Sequence, residues 1–230
     1  MEKFVEKVIK TLSVKTVPSV SWSSRHPLNV KPNILTLGML CIGLVVFGLG
    51  EALLIAAGTG VSPWTVFAQG LGLVMDLSIG WATFVVSAGV LMFWIPLKQV
   101  PGIGTILNAV IISAVIGISL PYLPKPPVYG LQVIESVIGI LMVGFGSGLY
   151  LIAHLGAGPR DGLMTGLQRV TDLPIAWVRT SIEIVVVLCG WLLGGTVGLG
   201  TVLFAFGIGP AVSIGLFTVQ KYSSIQPSVD

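Results

Sequence analysis

Gly60-Val-Ser-Pro-Trp-Thr-Val66 and Gly156-Ala-Gly-Pro-Arg-Asp-Gly162 decide how this chain is organised. They stand 96 residues apart, and the chain around them is written twice. Gly43 to Ser113 lies over Gly139 to Gly209 without a gap, with roughly 22 identities in about 71 positions. The shared points are mostly not generic apolar matches: Gly48/Gly144, Gly50/Gly146, Pro63/Pro159, Gly70/Gly166, Asp76/Asp172, Trp81/Trp177, Gly102/Gly198, Gly104/Gly200 and Thr105/Thr201 all fall in register. If each copy crosses a bilayer three times, the second runs upside down relative to the first. That is the inverted-repeat architecture of many transporters and channels.

Composition requires the bilayer. Charged residues are 9 % and hydrophobic residues 54 % of 230, against about 25 % charged in a soluble domain, and mean hydropathy is +0.98. The apolar runs are continuous, which excludes the alternation of barrel strands. Six are long enough for helical spans, at about Leu35–Ala57, Ser78–Leu97, Ile103–Leu120, Leu131–His154, Ile175–Gly194 and Gly200–Val219. The expected fold is therefore an all-α polytopic membrane protein of six transmembrane helices in a 3+3 inverted repeat. It divides into a cytoplasmic amphipathic arm and linker (1–34), a first repeat (35–121), a Pro-rich external linker (122–130), a second repeat (131–219) and a cytoplasmic tail (220–230).

The net charge of +3 comes from where the basic residues lie, not from a polyanion partner, and no nucleic acid is expected. With the N-terminus inside, Lys3, Lys7, Lys10, Lys15, Arg25, Lys31, Lys98, Arg160, Arg169 and Lys221 all fall on the inner side, with Arg179 just inside the fifth span. Only Lys125 falls outside. This bias puts both termini in the cytoplasm. Trp81 and Trp94 bracket the second span and Trp177 and Trp191 the fifth, each pair about 20 Å apart along its helix, as interfacial belts would be. Cys41 and Cys189 read as buried small hydrophobes. His26 and His154 have no metal-ligand spacing around them, so neither a metal nor a cofactor is expected.

The N-terminus carries no signal-peptide pattern. Phe4, Val5, Val8, Ile9 and Leu12 recur at helical spacing among charges, which fits a membrane-surface helix or a partner-docking one equally. Residues 14–33, with Pro18, Pro27 and Pro32, read as a linker.

Each glycine-proline break precedes a segment too short to cross. Ser62-Pro63 and Gly158-Pro159 suit an N-cap and first helical position, so each starts a half-helix, re-entrant or interfacial. Its free N–H groups and partial positive charge would face either a central site or simply the turn of a surface hairpin. Gly158, Gly162 and Gly166, like Gly190 and Gly194, have the spacing of close helix packing. The Gly102 and Gly198 segments read as tight turns.

Charges inside spans are costly unless paired or hydrated, and so point to function. Arg179 and Glu183 share a helix face; their first-copy counterparts are Thr83 and Ser87. Arg160 and Asp161 likewise stand opposite Trp64 and Thr65. Arg160, Asp161, Arg179, Glu183, Ser62 and Trp64 are the substrate-binding candidates. Glu51 and Glu135, in the outer parts of the first and fourth spans, are candidates for proton coupling, with hydrogen-bonded packing the plainer role.

The run Gly156-Ala-Gly-Pro-Arg-Asp-Gly-Leu-Met164, the Arg179-to-Glu183 segment, Leu193-Gly-Gly-Thr-Val-Gly-Leu-Gly-Thr201 and Ser62-Pro-Trp64 resemble the YczE/YyaS/YitT family of bacterial integral membrane proteins, most closely its YczE-like branch. The resemblance runs from about Leu35 to Val219. It implies a polytopic protein of the bacterial inner membrane and supplies no substrate, cofactor or catalytic residue. Thr65 replaces an Asp common in that family, and Ala68 a His, so copy one is specialised or weakened if those groups matter.

Two functions compete. One is a secondary transporter or facilitator for a small solute, anionic because Arg160, Arg179 and the second half-helix start offer positive potential. The other is a non-transporting membrane regulator or scaffold acting through the basic N-terminal arm. An enzyme is not expected, since no nucleophile–base pair or phosphate loop is read in the spans. Homo-oligomerisation is left open.

Overall fold

A computed structural model describes residues 17–223; the amphipathic run around Phe4 to Leu12 lies outside them. Eight α-helices and no strand are found among the described residues. In order they are α1 (Ile34–Ala57), α2 (Pro63–Met75), α3 (Ile79–Trp94), α4 (Ile103–Ser119), α5 (Tyr129–Ala153), α6 (Pro159–Thr171), α7 (Ile175–Leu192) and α8 (Leu199–Ser223), with a 3₁₀ turn at Leu120–Tyr122 after α4. Five of them, α1, α4, α5, α7 and α8, are long and apolar enough to span a membrane. The stretch expected as the second span forms only the 16-residue α3. It meets the criterion jointly with α2, from which it is bent by 110°, giving five to six candidate spans.

The half-helices begin where the prolines place them. Pro63 and Pro159 occupy the first helical position after Ser62 and Gly158, and each helix runs 13 residues. Ser62 stands at the N-cap but makes no capping bond; its hydroxyl is used elsewhere. Asp76 and Asp172 end α2 and α6 in the left-handed region, with φ of 52° and 54°, which explains why this non-glycine pair recurs. At the breaks Gly60 and Gly156 have φ of 114° and 115°, a region that L side chains rarely adopt.

The helices sort into two groups. α1, α4, α5 and α8 share one apolar core, with Leu40, Leu44, Ile112, Leu149 and Leu216 buried in it. α2, α3, α6 and α7 share another, around Trp64, Ala68, Val86, Val90 and Met164. In the first group α1 and α5 cross antiparallel on small residues: a Cβ on Gly43 would lie 2.9 Å from the Gly146 carbonyl, and one on Gly50 2.6 Å from that of Gly139. Gly139 and Gly146 are the repeat counterparts of Gly43 and Gly50, so the crossing pairs each with the other's equivalent. The α1–α4 approach at Gly48 and Val115 is matched by the α5–α8 approach at Gly144 and Ala211.

The second group exchanges partners between copies. α2 packs on α7, and α6 on α3. Gly70 approaches the Gly190 carbonyl to 2.5 Å from its would-be Cβ, while Gly162 leaves room for the ring of Trp94. Trp94 is therefore no interfacial belt residue: it is 3 % exposed and its Nε1–H donates to the Pro159 carbonyl at 2.9 Å. Trp81, Trp177 and Trp191 are exposed as expected. Cys189 is also exposed, on the outward face of α7, and Cys41 is only half-buried, so neither is the fully buried hydrophobe its span suggested.

The turns before α4 and α8 have a structural task. Gly104 N–H donates to Leu155 C=O at 2.8 Å, and Gly200 N–H to Thr59 C=O at 2.9 Å. Each copy's turn thus braces the break of the other, and Thr105 Oγ1 adds a bond to Ala157 C=O at 2.7 Å. The segment before α1 is no free linker either. Trp22 is 8 % exposed within the first core, and its indole N–H donates to Ser223 Oγ at 3.0 Å.

Candidate functional site

A cavity of about 190 Å³ lies between the two helix groups. The first turns of α2 (Ser62, Pro63, Trp64) and α6 (Pro159, Arg160, Asp161) both line it. So do Thr83 and Ser87 of α3 and their counterparts Arg179 and Glu183 of α7. All six substrate-binding candidates named from the sequence therefore meet at one place. Phe47, Ile112, Val143, Phe204, Ile208 and Val212 make its apolar side, from the first helix group.

The charges are unevenly satisfied. Arg179 Nε donates to Glu183 Oε1 at 2.9 Å, an i,i+4 pair. Asp161 Oδ2 accepts from Tyr150 Oη at 2.6 Å. Arg160 lies over the Trp64 ring, with Cζ 5.5 Å from the ring centre, a cation–π contact. Among the described residues Arg160 has no hydrogen bond and no ion pair within 4.0 Å. It is coupled only at longer range, to Glu51, Asp161 and Tyr150. Trp64 is 6 % exposed, and its Nε1–H finds no acceptor. Arg160 thus lines this cavity, half-buried, without an acceptor, and beside it the buried Trp64 indole N–H is unpartnered, which is uncommon for a buried donor in a folded protein.

Glu51 lies just behind the start of α2, 1 % exposed. Its Oε2 accepts from Ser62 Oγ at 2.9 Å and from Thr65 Oγ1 at 2.8 Å, while Oε1 is unpartnered. Thr65 is therefore occupied with a carboxylate supplied by α1. The register gives this a counterpart: Ser147 matches Glu51 and Asp161 matches Thr65. Copy one carries its acid on the long helix and its hydroxyl on the half-helix, and copy two carries them the other way round. Glu135 does not line the cavity. It sits in the second turn of α5, with Oε2 buried and unpartnered.

The sequence reading missed Asn108 and Tyr150. A Cβ on Gly158 would meet Asp161 Oδ2 at 3.2 Å, Asn108 Nδ2 at 3.3 Å and Tyr150 Oη at 3.5 Å, so all three surround the start of α6. Asn108 as the one asparagine inside an apolar span was a usable signal; Tyr150 beside a span end was not.

A family model described as a family of unknown function (DUF6198) matches residues 34–216. An uncharacterized protein of Haemophilus influenzae is 42 % identical over 212 residues, covering 92 % of this chain and 96 % of the relative. The uncharacterized membrane protein YczE of Bacillus subtilis is 33 % identical over 165 residues, 71 % of this chain and 77 % of the relative. The uncharacterized protein YyaS of the same organism is 24 % identical over 170 residues, 70 % and 83 % of the two chains. No solved structure matches. With five to six candidate spans and a match over nearly all of its helical part, the chain belongs to the DUF6198 family of membrane proteins, on its YczE-like side.

Proposed function

We propose that this chain is a secondary transporter or facilitator for a small anionic solute, bound in the cavity between the first turns of α2 and α6. The observation that carries it is Arg160, which lines a cavity of charged and hydroxyl side chains with only the Trp64 ring against it, next to the unpartnered indole N–H of that tryptophan. The two helix N-termini add partial positive charge. Arg179 is held by Glu183 and so is the second cation, able to turn to the solute when that pair opens. No covalent chemistry is assigned to the site.

In this reading the two copies form an inverted repeat, with the cavity on its pseudo-two-fold axis, N- and C-termini in the cytoplasm and the protein in the bacterial inner membrane. The antiparallel α1–α5 crossing and the reciprocal contacts of α2 with α7 and α6 with α3 support it. A site between two helix groups, each drawn from both copies, suits alternating access by movement of one group against the other. Glu51, behind Ser62 and Thr65 and within the field of Arg160, is the proposed proton-coupling group; Glu135, away from the cavity, is not.

The test is uptake of radiolabelled acetate, lactate and succinate into proteoliposomes of the purified chain. Arg160→Gln is expected to reduce uptake at least about tenfold, the loss of one charge-assisted hydrogen-bonding group. Arg160→Gln combined with Arg179→Gln is expected to abolish it while the protein stays monodisperse. Flux that survives the double replacement would place the solute elsewhere. The regulator reading rests on the N-terminal arm, of which residues 1–16 lie outside the described residues.

A further inference from the structure

Beside the polar cavity lies a second, larger one of about 510 Å³, between α3 and α7. Its walls are apolar, among them Phe67, Val86, Gly89, Phe93, Val185 and Val186, with Ser181 the one hydroxyl-bearing residue. Gly89 and Val185 are repeat counterparts, as are Val90 and Val186, so the groove follows the same pseudo-symmetry as the polar site. Trp64 lines both spaces. The polar cavity and the apolar groove are therefore one indole ring apart, and Arg160 lies over that ring.

Gly89 supplies an independent observation. Glycine in a helix interior lowers helix stability, and at the α1–α5 and α2–α7 crossings it is required by backbones in close approach. A Cβ at Gly89 would meet nothing within 4 Å. No helix crossing demands this glycine, and its missing side chain leaves the groove open at that point of α3.

We infer that the solute is an amphipathic anion, its compact anionic head against Arg160 and Trp64 and its unbranched hydrocarbon tail in the α3–α7 groove. This rests on the anion-binding reading of the polar cavity and names the substrate class of that site. The charge and the apolar lining are complementary to the two ends of one molecule lying along the edge of Trp64, which borders both spaces. A bilayer acyl chain alone would fill the groove but leave both donors without an acceptor.

The full chain in nanodiscs is titrated with straight-chain carboxylates from acetate to decanoate, with free concentrations measured by equilibrium dialysis. Burial of each methylene is worth about fourfold in affinity, so octanoate is expected to bind more than about 50-fold tighter than butyrate. Gly89→Trp, which fills the groove, is expected to bring that ratio to within about threefold of unity, the burial of less than one methylene. Gly89→Leu, a smaller wedge that remains readable if the tryptophan variant misfolds, is expected to lower the ratio at least about fivefold, the loss of roughly one methylene's burial. A wild-type affinity that does not depend on chain length, or a dependence that both wedges leave intact, overturns the tail site while the anion site stands. If no carboxylate of any length binds in an Arg160-dependent way, the anion-binding reading itself fails.

Discussion

A carboxylate and a hydroxyl trade places between the two copies, at Glu51 and Thr65 in one and Asp161 and Ser147 in the other. The exchange leaves both acids within the field of Arg160 without placing either within ion-pair distance. Such spacing leaves the guanidinium available to a ligand, where a direct pair would have consumed it. Glu51→Gln preserves a group able to meet Ser62 and Thr65 but removes the charge. It is expected to abolish the dependence of uptake on an imposed pH gradient while leaving solute counterflow within about threefold of wild type, a shift of less than one hydrogen bond's worth. Both rates are read in the same proteoliposomes, and loss of counterflow would instead make Glu51 a binding residue. Tyr150→Phe deletes the 2.6 Å bond to Asp161; a bond to a charged group is worth about 1.5–3 kcal/mol, and the expected sign is a raised KM for uptake.

At the scale of elements, the breaks before α2 and α6 keep their shape because turns from the opposite copy brace them. A Cβ on Gly102 would lie 2.3 Å from the Leu155 carbonyl, and one on Gly198 2.3 Å from that of Thr59. Gly102→Ala and Gly198→Ala are therefore each expected to cost about 1–3 kcal/mol through overpacking. Thermal unfolding in detergent measures this. Gly38→Ala, where a Cβ meets nothing within 4 Å, is the comparison, expected to be neutral or mildly stabilising because alanine is the better helix former. Equal midpoints for all three variants would show that the braces are dispensable.

For the whole molecule, the orientation of the copies decides whether the cavity can be reached alternately from two sides. Single cysteines replacing Lys98 and Lys125 in a chain with Cys41 and Cys189 changed to serine test it with a membrane-impermeant maleimide. Lys125→Cys is expected to react in intact cells and Lys98→Cys only after lysis, as the distribution of basic residues requires. Labelling of both from outside would break the proposed topology. The groove between α3 and α7 belongs to this scale too, since neither helix alone has a concave face.

Much of the architecture was written in one dimension. Continuous apolar runs fixed the helices, because a backbone in hydrocarbon must satisfy its own hydrogen bonds. Pro63 and Pro159 fixed the starts of the half-helices, because proline suits the first helical position. The six site candidates could be named because charge and helix breaks are expensive inside a span and therefore informative wherever they occur. What linear spacing does not encode is which helix meets which. Tertiary packing alone decided that each half-helix docks on the opposite copy, that Trp94 is buried against Gly162, that Trp22 closes onto Ser223, and that Tyr150 and Asn108 reach the start of α6. Those contacts join residues far apart in the chain, and their geometry follows from the interlocking of side-chain volumes, a property of pairs of surfaces that no single stretch of sequence carries.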